Sequence, residues 1–193
     1  MKAIQDERIA WQQFKAGNKE AFEWIFRRYK DVLYSYGCNN FQDTELVENA
    51  IQDLFVDLGK KRANLPEVLN LKAYLVVALK KRMLSLLKNK QREANYLTET
   101  AIPASESATH FSPESQWIEN EENTFKNQKV EAAISHLSAR EREIIHLRFY
   151  QDLEYEAISE IMALNGQTAR NLLYRAMKKL KTNLSSQFLL DTG

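Results

Sequence analysis

Cysteine is nearly absent from these 193 residues. Cys38 stands alone, so no disulfide can form within the chain, and its expected place is as a small buried side chain. Glycine and proline are also scarce, at five and three residues. That leaves few tight turns and points to a mostly helical chain. The three histidines, His110, His136 and His146, are scattered and have no cysteine or carboxylate partners at metal-ligand spacing. No glycine-rich phosphate loop is present, and no serine lies in a nucleophile-elbow context. Nothing therefore favours an enzyme, a cofactor or a metal. Long hydrophobic runs are missing as well. The longest, "YLVVAL" at 74–79, is far too short to span a bilayer. The opening "MKAIQDERIAWQQF" lacks an apolar secretory core. A cytoplasmic protein without membrane insertion is the expectation.

What is there is unevenly distributed. The formal net charge of +1 hides a segregation: residues 1–92 carry +6, residues 93–127 carry −6, and residues 128–193 carry +1. The acidic block contains two of the three prolines, in "TETAIPASESATHFSPESQWIENEE", and is rich in Ser, Thr and Glu. It reads as a linker. The expected architecture is all-α: two small helical domains, 1–92 and 128–193, joined by the acidic linker 93–127.

In the first domain Phe14, Ala21, Phe22, Ile25, Phe26, Tyr29, Val32, Leu33 and Tyr36 recur at three- and four-residue steps. Asn18 is placed to cap a helix beginning at Lys19. A second helix starts near Asp43 or Thr44, with Leu46, Val47, Ala50, Ile51, Leu54, Phe55 and Leu58 inside. Its other face carries Glu48, Asn49, Gln52, Asp53 and Asp57. Pro66 ends any helix before it. A third helix is expected from about Leu71 to Lys90, with Leu75, Ala78, Leu79, Leu86 and Leu87 inside. Lys72, Lys80, Lys81, Arg82 and Lys88 lie on or beside its polar face. No acid occurs from Val68 to Arg92.

The second domain reads more sharply. Ser138 and Glu141 stand at capping-box spacing before a helix through Ile144, Ile145, Leu147 and Arg148. "LEYEAISEIM" makes a short helix and "ALN" a tight turn, and Asn165 can cap the helix that follows. Ala169, Leu172, Leu173, Ala176 and Leu180 form that helix's apolar stripe. Gln167, Thr168, Arg170, Asn171, Arg175, Lys178 and Lys179 fall elsewhere. No acid occurs from Ile161 to Leu190. This is a helix-turn-helix pattern. Arg, Asn and Gln can read base edges in the major groove, and the lysines can neutralise phosphates. A favourable helix dipole accounts for Lys178, Lys179 and Lys181 near the C-terminal end. It does not account for thirty residues without an acid.

"HLSAREREIIHLRFYQDLEYEAISEIMALNGQTARNLLYRAMKKLK" resembles the fourth conserved region of bacterial sigma factors. "GNKEAFEWIFRRYKDVLYSYG" followed by "LVENAIQDLFVDL" resembles their second region. With only a bare linker between them, the chain is similar to the extracytoplasmic-function class of the sigma-70 family. The resemblance implies a transcription initiation factor. Glu48, Gln52 and Asp53 would dock on core RNA polymerase. The helix from Leu71 to Lys90, with Lys72, Lys80, Lys81, Arg82 and Lys88, would engage and melt the −10 element of promoter DNA. The C-terminal domain, through Gln167, Thr168, Arg170, Asn171, Arg175, Lys178 and Lys179, would read the −35 element. An anti-sigma factor is an implied partner, and the free protein is expected to be a monomer. The chain departs from the family pattern at Asn49, Lys81, Ser85, Ala163 and Leu172, which bears on the promoter sequence read. Two other functions fit parts of the pattern: a helix-turn-helix regulator acting without polymerase, and a protein-binding helical adaptor.

Overall fold

The computed structural model describes residues 6–41, 43–97 and 130–190, and all the regular structure in them is helical. Two compact units are present, Met1–Ala108 and Thr109–Gly193.

The first unit opens with α1 (Glu7–Lys15), whose first turn is capped by the Asp6 carboxylate. Ala10, Trp11 and Phe14 are its buried face. The chain then turns at Gly17, whose φ of 94° lies in the left-handed region that a side chain disfavours. Asn18 caps α2 (Lys19–Asn40) by accepting from the Ala21 N–H at 3.1 Å. The expected stripe is thus shared by two helices. Ala21, Ile25, Tyr29, Leu33 and Tyr36 are buried, whereas Phe22, Phe26 and Val32 are half-buried. Phe22 and Phe26 still contribute by meeting Phe55 edge-on, with ring centroids 6.1 and 4.9 Å apart. Cys38 is half-buried rather than enclosed.

Asp43 caps α3 (Thr44–Lys61), which buries Val47, Ala50, Ile51, Leu54, Phe55 and Leu58. A short 3-10 turn, Arg62–Asn64, follows. The loop after it is pinned to α1: Trp11 Nε1 donates to the Pro66 carbonyl at 2.9 Å, and Lys15 pairs with Glu67. Asn70 accepts from the Ala73 N–H at the start of α4 (Leu71–Leu97).

Helix α4 differs from expectation at its C-terminal end. It passes through the boundary drawn at residue 93 and runs to Leu97, so the first part of the proposed linker is helical; residues 98–127 lie outside the described residues. The buried stripe is Leu71, Leu75, Val76, Leu79 and Met83, and it stops there. Leu86 is half-buried and Leu87 exposed, where both were expected inside. This end of α4 is tied to the α3 side by ion pairs, Arg82 to Asp53 and Asp57 and Lys90 to Asp43.

In the second unit a helical segment, α5, includes residues 130–135. Ser138 and Glu141 form a complete capping box on α6 (Ala139–Ile145). The expected continuation to Arg148 is a π-helical turn, His146–Tyr150. Then come α7 (Tyr155–Met162) and α8 (Gly166–Leu190). Ala163 ends α7 in the left-handed region, with φ 52° and ψ 50°. The Leu164 N–H reaches back to the Ser159 carbonyl at 2.9 Å, closing a Schellman-type end. Ile144, Leu147, Ile158, Ala169 and Ala176 are fully enclosed between these helices.

Candidate nucleic-acid interface

Helix α8 starts where Asn165 Oδ1 accepts from the Thr168 N–H at 2.7 Å. From that point helical geometry sorts the side chains. Ala169, Leu173 and Ala176 are buried against α6 and α7. Gln167, Arg170, Asn171, Arg175 and Lys178 are exposed on the opposite side. They recur at three- and four-residue steps, so they form one face. Gln167 donates its amide to Asn171 Oδ1 at 3.1 Å, a contact that holds the two amides side by side. Thr168 is half-buried at the flank of this face. Leu172 is half-buried too, at the edge of the apolar stripe and not in its centre.

Lys179 stands apart from the other basic residues. It turns back toward α6 and meets Glu141 Oε2 at 3.3 Å. Burial works against the Glu141 carboxylate. The Ser138 donors and Lys179 outweigh it and hold its pKa below the usual range. Lys179 therefore closes the capping box, a role its sequence position did not reveal.

The face also contains residues that the sequence reading left out. Tyr174 is 70% exposed, between Arg170 and Lys178. Its spacing already placed it there: it lies four residues from each. Arg148, from the π turn, has its guanidinium 5.6 Å from the Tyr155 ring centroid, and Arg170 lies 5.3 Å from the same centroid. No local pattern signals that meeting, because Arg148 and Arg170 are far apart in sequence.

In the first unit, Glu48, Gln52 and Asp53 are exposed together on α3, away from its buried stripe. Val56 extends this face with an apolar surface that is 51% exposed. Asp53 is not wholly free, since Arg82 Nη1 lies 3.1 Å from its Oδ2 and the same guanidinium also holds Asp57. Arg82 is thus a brace between α3 and α4, with a side chain only 24% exposed. Its expected place is on or beside the polar face of α4, and there it is paired with two α3 carboxylates. Lys72 and Lys80 are half-buried and already engaged. Lys81 and Lys88 are exposed.

A family model described as sigma-70, region 4, matches residues 127–180. The chain is 37% identical over 68 residues to the RNA polymerase sigma factor SigV of Bacillus subtilis, a match covering 35% of this chain and 41% of that relative. It is 21% identical over 169 residues to the RNA polymerase sigma factor YlaC of the same organism, covering 87% of this chain and 94% of YlaC. In structure it is similar to the sigma factor RpoE solved with the anti-sigma factor NepR from Bartonella quintana. The TM-score there is 0.60 at 21% identity, over 85% of this chain and 96% of RpoE, a likeness of fold. Residues 127–180 match a sigma-70 region 4, and the chain is similar to RNA polymerase sigma factors along most of its length.

Proposed function

We propose that this chain is a transcription initiation factor of the extracytoplasmic-function type, which binds core RNA polymerase and directs it to promoters through −10 and −35 elements. The observation that carries the reading is the outward face of α8, where Gln167, Arg170, Asn171, Arg175 and Lys178 stand exposed together at the capped start of the second helix of a helix-turn-helix. The fork of an Arg and the paired amides of Gln167 and Asn171 suit base edges, and the later cations suit phosphates. The exposed Glu48, Gln52 and Asp53 on α3 suit a basic partner surface, read here as core polymerase. Lys81 and Lys88, with Lys72 and Lys80 beside them, are the cations of α4 offered to the −10 element. Arg82 acts there as a brace.

An anti-sigma factor is the proposed protein partner, by analogy with the RpoE–NepR pair. Among the described residues no helix is long and apolar enough to cross a membrane, which suits the proposed cytoplasmic setting. The domain division proposed is a region-2-like unit up to α4 and a region-4 unit from about residue 128, with an acidic connector between them.

The test is run-off transcription with purified core polymerase on a library of randomised promoters. Enrichment of a two-element promoter is expected. Arg170→Ala costs about 1–3 kcal/mol on the preferred −35 sequence and flattens that preference, whereas Lys178→Ala weakens all sequences alike and lowers the salt slope by about one. Specific DNA binding that persists with no response to core polymerase would favour the polymerase-independent regulator instead.

A further inference from the structure

The face of α8 contains an arrangement that the proposed function does not itself require. Tyr155 is the first residue of α7 and is half-buried. Its ring has two guanidiniums within cation–π reach, Arg148 at 5.6 Å and Arg170 at 5.3 Å from the centroid. Arg148 has two further ties: its Nη1 donates to the Leu153 carbonyl at 2.9 Å and to Glu154 Oε1 at 3.2 Å. Arg170 has no carboxylate within ion-pair distance among the described residues; the ring is what it meets.

We infer that Tyr155 is a positioning residue for DNA reading: its ring presets the Arg170 side chain at the start of α8 for a base edge. This rests on the promoter-reading function proposed above. The physical basis is the rotamer entropy of arginine. A long exposed side chain samples many rotamers, and ordering it on binding costs affinity. A guanidinium already held on a ring has lost part of that freedom, and its planar donors remain available at the edge. The ring quadrupole attracts both guanidiniums, and Glu154 pairs with Arg148. Tyr155 lies on the packed first helix of the motif and not on the reading helix. The ring therefore moves with the scaffold, and the orientation of Arg170 is set by the fold.

The experiment compares Tyr155→Leu, Tyr155→Phe and Arg170→Lys in the full chain bound to core polymerase, on a promoter selected from a randomised −35 library and on one with that element scrambled. Tyr155→Leu is expected to lower the preference for the selected element five- to tenfold while changing binding to the scrambled element less than twofold. Tyr155→Phe retains the preference, because the ring is what matters. Tyr155→Leu added to Arg170→Lys causes less than a twofold further loss. A readout independent of DNA accompanies these: the Arg170 Nε–Hε resonance of the free protein is shifted upfield by the ring, and the shift is lost in Tyr155→Leu and kept in Tyr155→Phe. Full preference in Tyr155→Leu, or an unshifted Arg170 resonance in the unaltered chain, overturns the inference alone. An unaltered chain that directs polymerase with no −35 preference overturns the promoter reading and this inference with it. If Tyr155→Leu fails to fold, the Arg170 resonance of the unaltered chain and of Tyr155→Phe still decides the matter.

Discussion

Helices α2 and α3 approach each other closely at Gly37, and the geometry there supports a quantitative prediction. A Cβ built on Gly37 would lie 2.4 Å from Val47 Cγ1 and 3.1 Å from Cγ2. Carbon atoms in contact prefer about 3.5–4.0 Å, so Gly37→Ala requires an opening of more than about 1 Å. Val47 cannot swing aside: it is fully buried, and a β-branched residue in a helix has essentially one χ1 rotamer. The strain therefore falls on the helix–helix spacing, at the upper end of the about 1–3 kcal/mol typical of overpacking. Alanine recovers about 1 kcal/mol of helix propensity over glycine. The net loss is about 2 kcal/mol, which lowers the urea midpoint of the first unit by about 1 M at an m-value of about 2 kcal/mol/M. The assay is tryptophan fluorescence in a Trp117→Phe background, so that only Trp11 and Trp24 of the first unit report. Val47→Ala should recover part of the loss, leaving the double variant more stable than the sum of the two single losses predicts. A Gly37→Ala midpoint at or above that of the parent would refute the reasoning, because propensity alone would then govern the site.

Other outcomes follow from the same structure. Burial lowers the His146 pKa to about 4, and its Nε2 accepts from the Gln151 amide at 3.1 Å. The unfolded chain takes up that proton near pH 6.5 and the folded one only near 4. Stability of the second unit therefore falls as pH drops across that window, by up to about 3 kcal/mol, and His146→Gln should remove this part of the slope in urea titrations at stepped pH. Ala163 sits at φ 52°, a conformation that costs a non-glycine residue about 1–2 kcal/mol, so Ala163→Gly should stabilise the second unit by about 0.5–1 kcal/mol after the entropy cost of glycine, seen as a higher melting temperature. Gln52→Ala with Asp53→Ala should weaken a pull-down with core polymerase and leave the helical circular dichroism signal intact. An unchanged affinity would remove that face from the interface.

Much of the fold was legible because its signals are local. Asn18, Asp43, Ser138 and Asn165 cap the helices that their spacing announced, since a cap bonds its own first turn and needs nothing distant. The exposed face of α8 followed from helical periodicity alone, and so did the helix-turn-helix. Other features depended on which helix lies beside which. The end of burial at Met83, with Leu87 left exposed, depends on tertiary packing and not on the helical pattern of α4. The brace from Arg82 to Asp53 and Asp57, the turn of Lys179 toward Glu141, and the meeting of Arg148 and Arg170 on Tyr155 all join residues from different elements. A charge pattern along the chain identifies which side chains are polar. Only the packed structure decides which of them are committed to each other and which remain exposed, because an ion pair depends on distance in space and not on separation in sequence.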